Sequence, residues 1–364
     1  MNIPPQPSIA NKNIVYDFFL AINRTCNLAC PYCYCQEHLS AHAIPTLDDI
    51  DTCLAFLKKI PQIGNITLIG GEPLFNQKQV IYILNALQQL YTERTHKFKI
   101  VIITNGTFYI DLKKYKAMIS YMQISLNGFR EEHNKYRKFT NTGLGSFDTI
   151  ISNYRRYIAD DITINFHCVV DTYTIRTIAP SLKKLITYID IKNTPINVQI
   201  SHYAPWAKHW LRLILLHYDI FKLSRNYPVY IIRAHISSFK RSSQVCAIGT
   251  TFFGIDLVSG KIYACHELCG TDKSIVGDLD RGISQAFINQ YYTALDLKKY
   301  RFQGLPQWLS YWLLQKFPLD ICPTHNIGHT KNEFIIPLFI LLWSILSKLS
   351  RFMYRKNGLK LRAP

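Results

Sequence analysis

The stretch NRTCNLACPYCYC, residues 23–35, places Cys26, Cys30, Cys33 and Cys35 within ten positions. Thiolates at that density serve a disulfide, a zinc ion, an iron–sulfur cluster or a redox pair. Zinc wants a fourth ligand and usually takes paired Cys-x2-Cys units. The spacing Cys26-x3-Cys30-x2-Cys33 lets three thiols of one loop converge on one point. On a 4Fe–4S cluster three protein thiolates would leave one iron open for an outside ligand. Cys35 follows two residues later; in an extended loop its side chain points away, so it is left out of the ligand set. Cys246, Cys265, Cys269 and Cys322 form a second set, with His325 three residues after Cys322. Cys53 falls in a helical pattern and Cys168 in a strand pattern, and both read as buried small hydrophobes. Among the twelve histidines His266, beside Cys265, is the candidate catalytic residue, and the others read as surface or packing residues.

The bulk numbers narrow these choices. At 364 residues, 48% hydrophobic and 18% charged, the chain is globular and long enough for a large domain plus a smaller one. Residues 1–13, MNIPPQPSIANKN, lack an apolar signal-peptide core, so a cytoplasmic setting is expected. In a reducing compartment ten cysteines are better metal or redox ligands than disulfide partners. A net charge of +18 favours an anionic partner such as an acidic peptide, nucleic acid or a membrane surface, without choosing among them.

The positioning elements alternate through the first two hundred residues. Strands are expected at 14–22, 65–71, 98–106, 121–128, 162–170 and 196–203, each a near-continuous apolar run as in strands covered on both faces. Helices are expected at 46–60 (capped by Thr46), 76–91, 146–159 and 178–190. Six β/α units call for a parallel sheet with right-handed crossovers. The cysteines, GGEP (Gly70–Pro73), TNG (Thr104–Gly106) and SLNG (Ser125–Gly128) all fall just after strand ends, where α/β sheets carry their sites. Beyond 204 the alternation is expected to stop. An aromatic helix spans 206–224, and 246–270 reads as a hairpin turning at Ser259-Gly260.

The chain closes with the apolar run 334–346 and a tail holding Lys348, Arg351, Arg355, Lys356, Lys360 and Arg362. The run is short of the ~20 residues a spanning helix needs. A buried helix is the first reading, and an interfacial helix over 334–362 on a membrane surface is the second.

Cys-x3-Cys-x2-Cys with Tyr32 before the last cysteine resembles the cluster loop of radical S-adenosylmethionine enzymes. GGEP resembles the family motif that binds the cofactor's methionine amino group. SLNG resembles its Ser-Leu/Ile-Asp-Gly, and HNKYR (His133–Arg137) its following His-rich segment. The resemblance implies a partial (β/α)6 TIM-like α/β barrel in which Cys26, Cys30 and Cys33 hold a 4Fe–4S cluster with S-adenosylmethionine. Gly70, Gly71, Glu72, Pro73, Asn105, Ser125, Asn127 and Arg137 are then expected at the cofactor. Gly70 and Gly71 would let backbone approach a ligand, and Glu72 would meet an ammonium group. Asn127 replaces the family Asp, keeping an acceptor and losing the charge. The implied chemistry is reductive cleavage of S-adenosylmethionine to methionine and a 5′-deoxyadenosyl radical, which takes a hydrogen atom from the substrate.

Cys246-x13-Gly260-x4-Cys265 resembles the opening of the SPASM/twitch auxiliary-cluster domain, although that family's later block of close cysteines is absent. Four cysteines support at most one auxiliary cluster, with His325 as an alternative ligand to the thiolates. The organisation expected is 1–210 barrel, 211–240 helical linker, 241–330 truncated SPASM/twitch-like domain, and 331–364 apolar helix with basic tail. The resemblance implies a peptide-modifying maturase acting on a ribosomally made peptide with an acidic leader, fed by a flavodoxin- or ferredoxin-type electron donor. The alternatives are a sulfatase-maturase-like enzyme, a nucleic-acid-modifying radical enzyme, and a non-enzymatic Fe–S protein. The last leaves GGEP and SLNG unexplained, and no appended RNA-binding module supports the nucleic-acid reading.

Overall fold

The computed structural model describes residues 14–40, 43–189, 194–201, 209–231, 251–272 and 274–284. Strands β1 (Tyr16–Ala21), β2 (Ile63–Ile69), β3 (Lys99–Thr104), β4 (Ile119–Ser125), β5 (Ile164–Val170) and β6 (Ile196–Ile200) lie side by side in chain order, every pair parallel. The crossovers carry helices α1 (Leu47–Lys59), α2 (Gln77–Glu93), the short α3 (Arg130–Tyr136), α4 (Phe147–Ala159) and α5 (Ile178–Ile189). Thr46 caps α1 reciprocally with Asp49, through bonds of 3.2 and 2.8 Å. The result is the expected α/β partial barrel.

Three features differ from the sequence reading. The β3–β4 crossover holds a single 3-10 turn at Lys113–Tyr115 where a helix would complete the unit. The alternation continues past 204, because α6 (Trp210–Ser224) leads into β7 (Val229–Ile231), which pairs parallel with β6. The strands are also not apolar on both faces. On the helix side Phe18, Leu68, Ile102, Ile124, Phe166 and Val198 are almost fully buried. Cys53 and Cys168 share that core, as expected of small hydrophobes. The opposite, concave face of β4–β6 carries half-buried polar side chains, including Ser125 and His167.

The hairpin enters the same sheet. β8 (Phe252–Asp256) pairs parallel with β1, and β9 (Lys261–Tyr263), β10 (Ile275–Asp278) and β11 (Gly282–Ile283) continue antiparallel. Gly260 turns it with φ +66, a left-handed conformation open to glycine. The order is β11-β10-β9-β8-β1-β2-β3-β4-β5-β6-β7, so the first strand sits mid-sheet with the hairpin along its side. Among the described residues no helix is long and apolar enough to cross a membrane. Cys246, Cys322, His325 and the 334–362 segment lie outside the described residues.

Candidate functional site

Parallel pairing brings the C-terminal ends of β1–β5 to one end of the barrel, where the quoted motifs meet. The cysteine loop leaves β1 and is stitched to the end of β2. Gly71 N–H donates to the Asn23 carbonyl at 3.1 Å, Glu72 N–H to the Thr25 carbonyl at 2.6 Å, and Asn23 Nδ2 to the Glu72 carbonyl at 2.9 Å. A Cβ on Gly70 would lie 2.7 Å from the Asn23 carbonyl oxygen, and one on Gly71 would strike the Thr25 carbonyl. The two glycines are therefore required by the close approach of the cysteine loop itself. Asn23, which clamps this junction, carries no sequence signal.

Glu72 is fully buried. Its Oε1 accepts from Leu74 N–H at 2.9 Å and the Thr104 hydroxyl at 2.5 Å, and its Oε2 from Asn105 N–H at 2.6 Å. Three of about four acceptor sites are thus used by protein, and the fourth lies on Oε2. Burial pushes the Glu72 carboxyl up to about 7 against these hydrogen bonds. Asn105 also donates to Asn27 at 2.9 Å and to the Cys26 sulfur at 3.8 Å, and Asn27 donates to Thr107 at 2.9 Å. TNG, which on sequence alone could pass for an ordinary turn, therefore buttresses the cysteine loop.

On the far side, Asn127 is fully buried and donates to the Tyr32 hydroxyl at 2.7 Å and the Val169 carbonyl at 3.2 Å. Its backbone N–H donates to His133 Nδ1 at 3.2 Å, and His133 Nε2 lies 3.0 Å from the Ser146 hydroxyl. Burial, then Arg137, holds the His133 imidazole well below its ordinary range, so it is neutral and its Nε2–H donates to Ser146. Ser146 in turn donates to the Arg137 carbonyl at 3.0 Å. Arg137 is 7% exposed, stacks over Tyr32 at 5.6 Å, and keeps a buried Nε with no hydrogen-bond partner among the described residues. Ser125 ends β4 half-buried, level with His167 of β5.

Cys26, Cys30 and Cys33 are free thiols, half-buried on this one loop. Among the described residues no three Cys, His, Asp or Glu side chains converge tightly enough for a single metal ion. Cys35, expected to point away, does not. The loop turns at 36–38, and the Cys35 thiol hydrogen-bonds Cys33, lowering the Cys33 thiol to about 6 against burial. Burial pushes Cys26 up to about 12 and raises Cys30, with Arg137 opposing the rise at Cys30.

The hairpin closes the other side of the loop. Arg24 pairs with the fully buried Asp256, which also accepts from Ser259 Oγ at 2.6 Å. Cys35, His266, Cys269, Gly70 and Gly71 line one pocket between loop and hairpin. His266 stacks on Phe19 with ring centroids 4.2 Å apart. Cys265 is buried among apolar neighbours and Cys269 is half-buried.

Residues 20–185 match the Radical SAM superfamily, a span holding the cysteine loop, GGEP, TNG, SLNG and Arg137. Over this span the chain is similar to the radical SAM superfamily. Radical SAM enzymes use a 4Fe–4S cluster and S-adenosylmethionine. Fe-coproporphyrin III synthase of Methanosarcina barkeri is 28% identical over 166 residues, 43% of this chain and 37% of that protein. The match spans between 25% and 41% of the length of the first curated relatives. Two solved structures share the fold at greater length. The anSMEcpe structure with bound AdoMet and Cp18Cys peptide has a TM-score of 0.70 and 16% identity, covering 95% of this chain and 100% of that one. Streptococcus suis SuiB bound to precursor peptide SuiA has a TM-score of 0.59 and 15% identity, covering 90% and 76%.

The radical SAM residues fit their cofactors on two observations. Each thiolate of a cluster binds its own iron, so three free, half-buried thiols on one loop suit a polynuclear centre. A buried guanidinium beside two thiols, with an N–H left over, is complementary to an anionic group.

Proposed function

We propose that this protein is a radical SAM enzyme that modifies a peptide. The observation that carries the reading is the hairpin docked on β1, because the likeness to the peptide-bound anSMEcpe covers 95% of the chain and runs beyond the barrel. SuiB, similar over 90% of the chain, holds a precursor peptide as well. The charge of +18 suits an acidic leader segment. A ribosomally made precursor is the substrate class this reading favours, and a flavodoxin- or ferredoxin-type protein its electron donor.

In this proposal Cys26, Cys30 and Cys33 hold the cluster, which supplies the electron for reductive cleavage of S-adenosylmethionine. Glu72 offers its remaining Oε2 site to the cofactor ammonium group, and Arg137 offers its Nε–H to a carboxylate. Asn127 fixes Tyr32, and through it the far wall of the cysteine loop. Asn23, Asn27 and Asn105 hold that loop against β2 and β3, so the site is ordered before the cofactor arrives. Cys265 and Cys269, with Cys246 and either Cys322 or His325, are the proposed ligands of one auxiliary cluster.

Release of 5′-deoxyadenosine tests the reading. Anaerobically reconstituted enzyme is given dithionite, S-adenosylmethionine and pools of synthetic peptides, nucleotides or porphyrins. Peptides are expected to raise turnover above the uncoupled rate. Stimulation by nucleotides or porphyrins with none by peptides would overturn it.

A further inference from the structure

His167, read from the sequence as a packing or surface residue, lies half-buried on the concave face of the barrel. Along β5 the side chains of Ile164, Phe166, Cys168 and Val170 are buried against the helices, so Asn165, His167 and Val169 face the concave side. Register sets Ser125 and Asn197 directly beside His167, and Gln123 beside Asn165. Gln199 follows on β6, beside Val169. Among the described residues on the concave face of β4–β6 no carboxylate, lysine or arginine occurs.

The imidazole is half used. Burial, then Arg137, holds His167 down to about 4, with a hydrogen bond to Gln199 opposing the fall. The ring is therefore neutral at physiological pH. With Nδ1 unpartnered, the bond to Gln199 is made by Nε2, and in the tautomer whose Nε2–H donates to Gln199 the Nδ1 carries the lone pair. Nδ1 is buried and has no hydrogen-bond partner among the described residues. A buried acceptor without a donor costs about 1–3 kcal/mol, a penalty that a ligand N–H or O–H relieves. His133 differs in that both of its ring nitrogens are bonded.

We propose that His167 is a substrate-binding residue of the barrel lumen, its Nδ1 accepting a hydrogen bond from an amide N–H of the substrate, within an uncharged row of Gln123, Ser125, Asn165, Asn197 and Gln199. Carboxamides carry both donors and acceptors and match a peptide backbone, and the row offers a phosphate no cation. The assignment rests on the peptide reading for the class of donor it takes.

Diethyl pyrocarbonate acylates unprotonated imidazole nitrogens and can be mapped by mass spectrometry on the intact, cluster-loaded enzyme. His167 and the exposed His96 are expected to react, and His133 to stay unmodified. Hexa-alanine amide is expected to abolish modification at His167 and leave His96 unchanged. Polysarcosine, which has the same carbonyls but no backbone N–H, is expected to leave both reactive. An unreactive His167, or equal protection by polysarcosine, would overturn the assignment. Protection by hexa-alanine amide with no peptide stimulating cofactor cleavage would support His167 as an amide-binding residue and remove the peptide-modifying reading alone.

Discussion

Glu72 offers the sharpest test of how the site is built. Its carboxyl is fully buried and raised from 4.5 to about 7, with desolvation the leading cause. A raised folded-state value means that the stability this group contributes is fully present below its unfolded value and is lost as pH rises through 7. The 2.5-unit difference between those two values corresponds to about 3 kcal/mol. Glu72→Gln removes the titration. It also turns an amide N–H₂ toward donors, so that one of Leu74 N–H, Thr104 Oγ–H and Asn105 N–H loses its acceptor, costing about 1–3 kcal/mol at every pH. Urea unfolding of the cofactor-free protein between pH 5 and 8.5 separates the two effects. His133 and His167, both depressed, act in the opposite sense, losing stability as pH falls below their unfolded value. They are common to both proteins and cancel in the difference. Wild type minus Glu72→Gln should shrink by roughly 2.5 kcal/mol from pH 5 to 8.5, since part of the loss lies below pH 5. A difference that is flat with pH would refute the buried-carboxylate reasoning.

Gly71→Ala should force the cysteine loop off β2, because the new methyl would meet the Thr25 carbonyl carbon at 2.7 Å; iron binding after reconstitution should fall and stability drop by about 1–3 kcal/mol. Gly143→Ala, with open space around its Cβ but φ +69, is the control and should cost about 1–2 kcal/mol with iron content unchanged. Asn127→Ala removes the tie between Tyr32 and β5 and should destabilise by about 2 kcal/mol, read by urea unfolding, while weakening S-adenosylmethionine binding in equilibrium dialysis.

The barrel was legible because its signals are local. The buried positions of β1 to β6 are filled mostly by Ile, Val, Leu and Phe, and Thr46 announces α1 through a side chain three residues from its partner. What was not legible is set by distance along the chain. Nothing in FFGID indicates that β8 pairs with β1, some 235 residues earlier by register (Asp17 with Phe252). Asn23 and Asn27 look like loop asparagines until β2 and β3 arrive beside them. The three-residue β7 is too short to show a period. GGEP was found as a motif, but its glycines answer to the cysteine loop's backbone, a contact no spacing encodes. His167 did leave a signal: INFHCVV alternates polar Asn165 and His167 with buried Phe166 and Cys168, the period of a strand with one polar face.

The central claim is that Cys26, Cys30 and Cys33 hold a 4Fe–4S cluster. Iron and acid-labile sulfide are measured after anaerobic reconstitution of wild type and of the Cys26→Ala/Cys30→Ala/Cys33→Ala protein. The account predicts that the variant binds about four fewer irons and sulfides per chain, whatever the hairpin cysteines hold. Equal iron in the two proteins, or none in wild type, would contradict it.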